Sequence, residues 1–197
     1  MARHRDERID RSVPAAVIAL LREAGYPALT MEAVAQRAGT TKPAIRRRWK
    51  SLKHLVVAAL AEERACVVEM DTGCTYCDLV GHLEALRAGM ADPAMSTVLP
   101  ALTAELADDP ELREEFLAVV WEPRREACVS SLRKGQARGD VRPGLDLDLL
   151  IDLFAAPVVF RVLFGHRELD QRFVRDVVSG VLSGVGVAGE GSCTHAG

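Results

Sequence analysis

The sequence has little that would direct the protein out of the cell or into a membrane. Its first apolar stretch is interrupted by Arg22 and Glu23 and has no cleavage pattern, which argues against a secretory signal. The longest apolar run, residues 149–164, is short for a membrane span and contains Asp152 and Arg161. Five cysteines, an odd number, do not indicate a disulfide framework. We therefore expect a soluble protein of the reducing cytoplasm.

Motifs of common enzymes are missing as well. The chain has no glycine-rich phosphate loop, no GxSxG and no HExxH, and its histidines His54, His82 and His166 occur singly. We therefore expect no enzymatic activity, no cofactor and no catalytic metal. Hydrophobic residues make up 49% and charged residues 27% of the chain, which is typical of a globular protein and excludes disorder and collagen.

The charge is unevenly distributed along the 197 residues. The whole chain carries a formal charge of −3, but residues 1–53 hold 12 Lys+Arg and 5 Asp+Glu, a net charge of +7. The remaining residues carry −10. This division indicates a basic module that faces a polyanion, joined to an acidic body.

Helical patterns run through almost the whole chain, with no hairpin signal and no internal repeat. For example, a stripe of apolar residues at helical spacing begins with Val13, Val17, Leu20 and Leu21. The fold class predicted is all-α, with about nine helices. We expect them at about 13–24, 31–38, 43–49, 52–60, 76–90, 95–107, 111–136, 146–164 and 169–186. A flexible tail, residues 187–197, follows.

Residues 31–50, MEAVAQRAGTTKPAIRRRWK, carry a helix-turn-helix pattern. Gly39 stands in the turn, where a positive φ is often needed, and the small Ala35 lets the two helices approach closely. Ile45 and Trp49 are expected to pack inward. The remaining side chains of the second helix would then face outward into a DNA major groove: Thr40, Thr41, Lys42, Ala44, Arg46, Arg47 and Arg48.

This region resembles the TetR (tetracycline-repressor-like) family of bacterial transcriptional regulators. The matching residues are Gly25-Tyr26, Leu29-Thr30, Ala35, Ala38-Gly39, Lys42, Arg47-Arg48-Trp49, Ser51 and Leu55. Two positions depart from the family pattern: Arg46 replaces a common tyrosine, and Leu52 replaces a common lysine, with Lys53 one place later.

The resemblance implies a homodimer with an N-terminal three-helix DNA-binding domain (1–53) and a larger helical domain for ligand binding and dimerisation (54–186). It also implies a repressor that is associated with the nucleoid. Such a repressor dissociates from a palindromic operator when a small effector binds. From the motif and the resemblance together, the candidate DNA-binding residues are Thr30, Thr40, Thr41, Lys42, Pro43, Ala44, Arg46, Arg47, Arg48 and Lys53.

The C-terminal part supplies candidates for the other two roles. Because few inward charges accompany its apolar residues, the effector is expected to be mainly apolar or aromatic. Candidate pocket residues are Leu83, Leu86, Met90, Leu99, Leu102, Leu106, Phe116, Val120, Trp121 and Phe154. The helix over 146–164 is apolar all round and needs two buried faces. Candidate dimer residues on it and on the last helix are Leu150, Phe154, Val158, Arg161, Val177, Val181 and Gly184.

Three alternatives remain open at this point. Cys74-x-x-Cys77, with Cys66, His82 and Cys128, would suit a thiol- or metal-responsive regulator. A second alternative to an effector-controlled repressor is a helical small-molecule-binding protein with a vestigial DNA-binding domain. The N-terminal arginines either form a solvated tail or contact phosphates or the minor groove; they are Arg3, Arg5, Arg8 and Arg11.

Overall fold

A computed structural model describes residues 7–63 and 69–185. Within them the chain is helical and contains no β-strand. The elements are α1 (Glu7–Ala24), α2 (Met31–Arg37), α3 (Lys42–Arg46), α4 (Leu52–Glu63), α5 (Thr75–Ala91), α6 (Pro93–Asp108), α7 (Pro110–Phe116), α8 (Glu122–Arg138), α9 (Leu147–Phe164) and α10 (Gln171–Val185). One 3₁₀ turn, Tyr26–Ala28, joins α1 to α2.

A π-helical turn, Leu117–Trp121, makes α7 and α8 one continuous helical stretch. Counted in this way, the described residues form nine helices, which confirms the predicted all-α class. Pro123 follows the turn and cannot donate a backbone hydrogen bond to the preceding turn, which favours such a local irregularity. None of the helices in the described ranges is long and apolar enough to cross a membrane.

The first helix begins earlier than the apolar stripe suggested, since α1 includes Glu7. Arg8 and Arg11 therefore lie on α1 and not in a tail before it, and their contact with DNA stays a prediction. Arg3 and Arg5 lie outside the described residues, as do Cys66 and the predicted tail over 187–197.

The first of two compact units contains residues 1–66 and 92–122. In it, α1 packs against α4 through completely buried residues such as Val13, Val17 and Leu55. Helices α6 and α7 join the same unit, with α6 against α1 and α7 against α4. Arg22 of α1 binds both Glu63 (2.6 Å) and Asp92 (2.7 Å). The basic N-terminal helices thus share one core with α6 and α7.

The second unit contains residues 67–91 and 123–197. Its core is formed by α5, α9 and α10, with Leu79, Leu83, Val158, Val174 and Val178 almost inaccessible to solvent. A polar network closes the start of α5: Thr75 Oγ1 donates to Asp140 (2.6 Å) and accepts from Arg138 (2.7 Å). Helix α8 can lie this close to Thr75 because residue 135 is glycine.

Gly135→Ala is expected to lower the free energy of unfolding by about 1–3 kcal/mol, the usual cost of overpacking a tight contact. A Cβ at this position would lie 2.6 Å from Thr75 Oγ1 and 3.2 Å from Val141 Cγ2. Urea denaturation followed by circular dichroism measures the change. Arg133→Ala, at an exposed position of the same helix, is the control and should change stability by less than about 0.5 kcal/mol. Equal stability of the two variants would contradict the tight contact.

Candidate nucleic-acid interface

The helix-turn-helix is built by two side-chain caps and a glycine turn. Thr30 Oγ1 accepts a hydrogen bond from Ala33 N (3.1 Å) and begins α2, and Thr41 Oγ1 accepts from Ala44 N (3.4 Å) and begins α3. Between the helices, Gly39 has a φ of +62°. This left-handed conformation is favourable for glycine and disfavoured for residues with a Cβ.

The inner side of the motif is apolar and packed. Ile45 is completely buried, as the pattern predicted, and Val34 and Ala35 of α2 are buried as well. Trp49 is half-buried. Helix α3 ends at Arg46 rather than continuing to Trp49, and residues 47–48 form a turn.

Two residues predicted to face outward do not. Ala44 is only 6% exposed, because it lies one position before Ile45 on the side of α3 that packs within the motif. The Arg48 side chain is 13% exposed. Its Nε donates to Asp10 of α1 (2.7 Å) and its Nη1 donates to the Ala44 carbonyl (3.2 Å). The expected outward orientation is wrong for both. The backbone of Arg47 is still helical, so Arg48, four residues after Ala44, lies on the same inward side and faces α1.

The other candidate side chains lie on the accessible side of the motif. Arg46 and Arg47 are exposed, and within the described residues neither guanidinium has a hydrogen bond or an ion pair. Lys42 is exposed and pairs with Glu32 of α2. Also accessible are Thr30, Thr41 and Pro43, which are exposed, and Thr40, which is half-buried. At the end of α3 the motif therefore presents two adjacent guanidinium groups that have no anionic partner among residues 7–63 and 69–185.

Lys53, a candidate DNA contact, is engaged in an ion pair. Its ammonium group pairs with Glu105 of α6, and this carboxylate raises the pKa of Lys53. Lys50, which the motif did not single out, pairs in the same way with Glu111 of α7, which raises the pKa of Lys50. Its sequence neighbour Ser51 accepts from His54 N and so marks the beginning of α4. No feature of the sequence indicated these distant glutamates.

The candidate dimer residues divide into two groups. Leu150, Phe154 and Val158 are at most 4% exposed and belong to the core of their own unit, which leaves their side chains no surface for a dimer contact. Arg161 is engaged with α10, where it lies 3.5 Å above the ring of Phe173. The three candidates on α10 are accessible: Val177 and Val181 are half-buried, and Gly184 is exposed.

Another stripe of α9 is exposed instead. Leu149, Leu153, Phe160 and Phe164 are 47–67% accessible and follow one another at spacings of four, seven and four residues. That spacing places them along one side of a helix. The Phe160 and Phe164 rings contact each other, with centroids 4.6 Å apart. An apolar surface of this kind on a globular chain is typical of an interaction site.

The candidate pocket residues occur in both compact units. Leu99, Leu102 and Val120 are buried in the first unit, where Leu106, Phe116 and Trp121 are half-buried. Leu83, Met90 and Phe154 are buried in the second unit, where Leu86 is half-buried. Their assignment to an effector stays a prediction.

Among the cysteines that suggested a sensor, the structure describes Cys74, Cys77 and Cys128, and none of these three forms a disulfide. Cys74 precedes α5, and its sulfur accepts a hydrogen bond from Cys77 N (3.4 Å). Burial raises the pKa of the Cys128 thiol to about 11, which keeps it protonated and poorly nucleophilic at neutral pH. His82 binds Ser131 Oγ (2.9 Å), and burial lowers its pKa. In residues 7–63 and 69–185, no three potential ligands are grouped as a metal site.

Comparison with known proteins matches both parts of the chain. Residues 15–59 match the family model described as bacterial regulatory proteins, tetR family. Residues 69–181 match the model described as tetracyclin repressor-like, C-terminal domain. Together they cover the helix-turn-helix and most of the helices that follow it.

Individual relatives agree along nearly the full length. The chain is 31% identical over 186 residues to the uncharacterized HTH-type transcriptional regulator YdeS of Bacillus subtilis, covering 93% of this chain and 92% of YdeS. It is 27% identical to the DNA-binding transcriptional repressor TetR of Mycobacteroides abscessus, over 90% of this chain and 94% of that protein.

A solved structure shows the same fold. The TetR family transcription regulator SCO0332 superposes with a TM-score of 0.76 at 27% identity, over 90% of this chain and 98% of that one. With an exposed basic helix-turn-helix and family matches in both halves, the chain belongs to the TetR family of DNA-binding transcriptional regulators.

Proposed function

We propose that the protein is a repressor that binds a palindromic operator as a homodimer and leaves it when a small, mainly apolar effector binds. The observation that carries the DNA-binding part is the pair Arg46 and Arg47, exposed and without an anionic partner in the described residues. Guanidinium groups at this place of a reading helix can bind phosphates or donate two hydrogen bonds to a guanine edge. The repressor role is supported by the named repressor among the relatives.

Several polar groups around these arginines would position the motif on the backbone of the duplex. The hydroxyl groups of Thr30 and Thr41 accept from backbone N–H groups, which leaves their own protons available for phosphate oxygens. Lys42 can exchange Glu32 for a phosphate, because an exposed ion pair is worth only about 0–1 kcal/mol. Phosphate contacts of this kind fix the register, and Arg46 and Arg47 would then read bases.

The homodimer is proposed on the exposed stripe of α9, with α10 beside it. Leu149, Leu153, Phe160 and Phe164 supply the apolar surface. On α10, a Cβ at Gly180 or at Gly184 would meet nothing within 4 Å in the same subunit. Small residues at these positions would allow the backbone of a second subunit to approach closely. A two-fold dimer presents two reading helices, which suits an operator with two inverted half-sites.

The salt dependence of DNA binding tests this function. Each phosphate neutralised releases counterions, so the logarithm of the association constant should fall linearly with the logarithm of salt concentration, by about 0.9 per phosphate. Fluorescence anisotropy with fragments of the source genome, between about 50 and 200 mM salt, measures the slope. A steep slope with one preferred fragment is expected. A flat response and no preferred fragment would instead support a ligand-binding protein with a vestigial DNA domain.

The effector is tested on the same complex. Only a ligand with unequal affinity for the DNA-bound and free forms can release the operator. A panel of apolar, aromatic and charged metabolites is therefore added to the preferred fragment, and release is read from the anisotropy. We expect release by apolar or aromatic compounds; release by oxidant or by zinc, abolished in Cys77→Ser, would support the thiol or metal sensor instead.

A further inference from the structure

The two lysines that follow the reading helix are both held by glutamates from outside the helix-turn-helix. Lys50 lies between α3 and α4 and pairs with Glu111 of α7, while Lys53 lies in the first turn of α4 and pairs with Glu105 of α6. All four residues belong to the first compact unit. The side chains of the first pair are 63% and 66% exposed, and those of the second 39% and 29%.

These pairs contribute little to stability. Exposed ion pairs are screened by solvent and typically stabilise a fold only weakly, so both lysines can change partners at low cost. Lys50 is four residues from Arg46 along the chain, and Lys53 is six residues from Arg47. They are therefore cations at the border of the proposed DNA surface that are neutralised as long as the glutamates hold them.

We propose that Lys50 and Lys53 can bind DNA phosphates, and that Glu111 and Glu105 compete with the DNA backbone for these two lysines. This inference rests on the proposed function. The carboxylates of α6 and α7 lower the affinity of the helix-turn-helix for all DNA sequences equally, because phosphate contacts do not depend on base identity. Selectivity then depends more strongly on Arg46 and Arg47, and any movement of α6 or α7 away from α4 releases positive charge toward the duplex.

Counterion release distinguishes this arrangement from a simple change in net charge. When a lysine leaves a glutamate for a phosphate, salt weakens both the ion pair that is broken and the contact that is made, so the two salt dependences partly cancel. When the residue at the glutamate position is uncharged, the phosphate counterion is released without compensation. Each removed glutamate should therefore steepen the logarithmic salt slope by up to about 0.9, provided that its lysine contacts DNA.

The test compares Glu105→Gln/Glu111→Gln with the natural chain on the preferred DNA fragment. We expect affinity to rise roughly two- to fivefold per pair and the salt slope to steepen by up to about 2. The matched control is Asp108→Asn/Glu114→Gln, which removes the same charge from the same two helices at exposed positions. Neither Asp108 nor Glu114 has a side-chain ion pair in the described part of the chain. The control slope should remain that of the natural chain.

A second background identifies the partners. In the variant Lys50→Gln/Lys53→Gln, the two glutamate substitutions should no longer change the salt slope of DNA binding, because the two ammonium groups are absent. The proposal is overturned if the glutamate variant behaves like its control, or if its effect persists in the lysine-free background. A natural chain that binds no preferred fragment would instead overturn the proposed function. Unchanged circular dichroism spectra and melting temperatures show that all variants are folded.

Discussion

Arg46→Ala/Arg47→Ala is expected to weaken operator binding by about 100-fold, or roughly 3 kcal/mol, and to relax sequence preference. An arginine that reads a guanine contributes about 1–3 kcal/mol, so Arg47→Ala alone should account for a loss in that range. Both side chains are exposed and without ion pairs in the described residues, so their removal leaves no buried group unsatisfied. The loss should therefore appear in DNA binding and not in stability.

Anisotropy titrations at one fixed salt concentration measure this effect. The control is Arg133→Ala/Arg167→Ala, which removes two exposed arginines of the second unit and the same total charge. Its affinity should stay within about twofold of that of the natural chain, because distant exposed charges are screened by salt. Equal losses in the two variants would show that only net charge matters and would remove Arg46 and Arg47 from the interface.

Leu153→Glu/Phe160→Glu is expected to convert the homodimer to a monomer. The two side chains are 47% and 55% exposed in the single chain, so the glutamates are solvated in the monomer and the fold is retained. In a dimer the same carboxylates would be buried in an apolar surface, which costs several kcal/mol per charge. Light scattering after size-exclusion chromatography measures the mass directly.

The same variant should lose most of its operator affinity. A dimer binds the second half-site as an intramolecular event, and losing that linkage typically costs a factor of about 10²–10⁴. Arg133→Glu/Ala137→Glu introduces the same residue twice on the exposed side of α8 and should remain dimeric and bind DNA. A Leu153→Glu/Phe160→Glu protein that is still a dimer would place the subunit contact elsewhere.

The helix-turn-helix could be predicted from sequence because its signals are local. The signals are Gly39 in the turn, the small Ala35 and the apolar Ile45, which all lie within eleven residues of one another. Such short-range rules act before tertiary structure is known. Even here Arg48 was misplaced, since its partner Asp10 is 38 residues away along the chain.

The orientation of α9 could not be predicted from its own sequence. The helix is apolar on nearly all sides, so helical periodicity does not distinguish the side toward α5 and α10 from the side toward solvent. Leu150, Phe154 and Val158 form one possible stripe, and Leu149 and Leu153 begin the other. Only the packing of the neighbouring helices decides between the two.

The ion pairs of Lys50 and Lys53 were inaccessible to sequence reasoning for a related reason. Their partners Glu111 and Glu105 follow more than 50 residues later, and many other acidic residues lie in between. The pairing depends on α6 and α7 packing in the same compact unit as α1 and α4. Local sequence patterns therefore revealed the helix-turn-helix but not the carboxylates that pair with its two following lysines.

Selection of DNA from a random duplex library by the full-length protein tests the central claim most directly. A homodimer with two reading helices should enrich an inverted repeat whose half-site centres are about 34–36 Å apart, one turn of the duplex, or a multiple of that distance. Sequencing the enriched pool gives this spacing. Enrichment of such a repeat, lost in Arg46→Ala/Arg47→Ala, is the predicted result. A pool without any enriched motif would contradict the account.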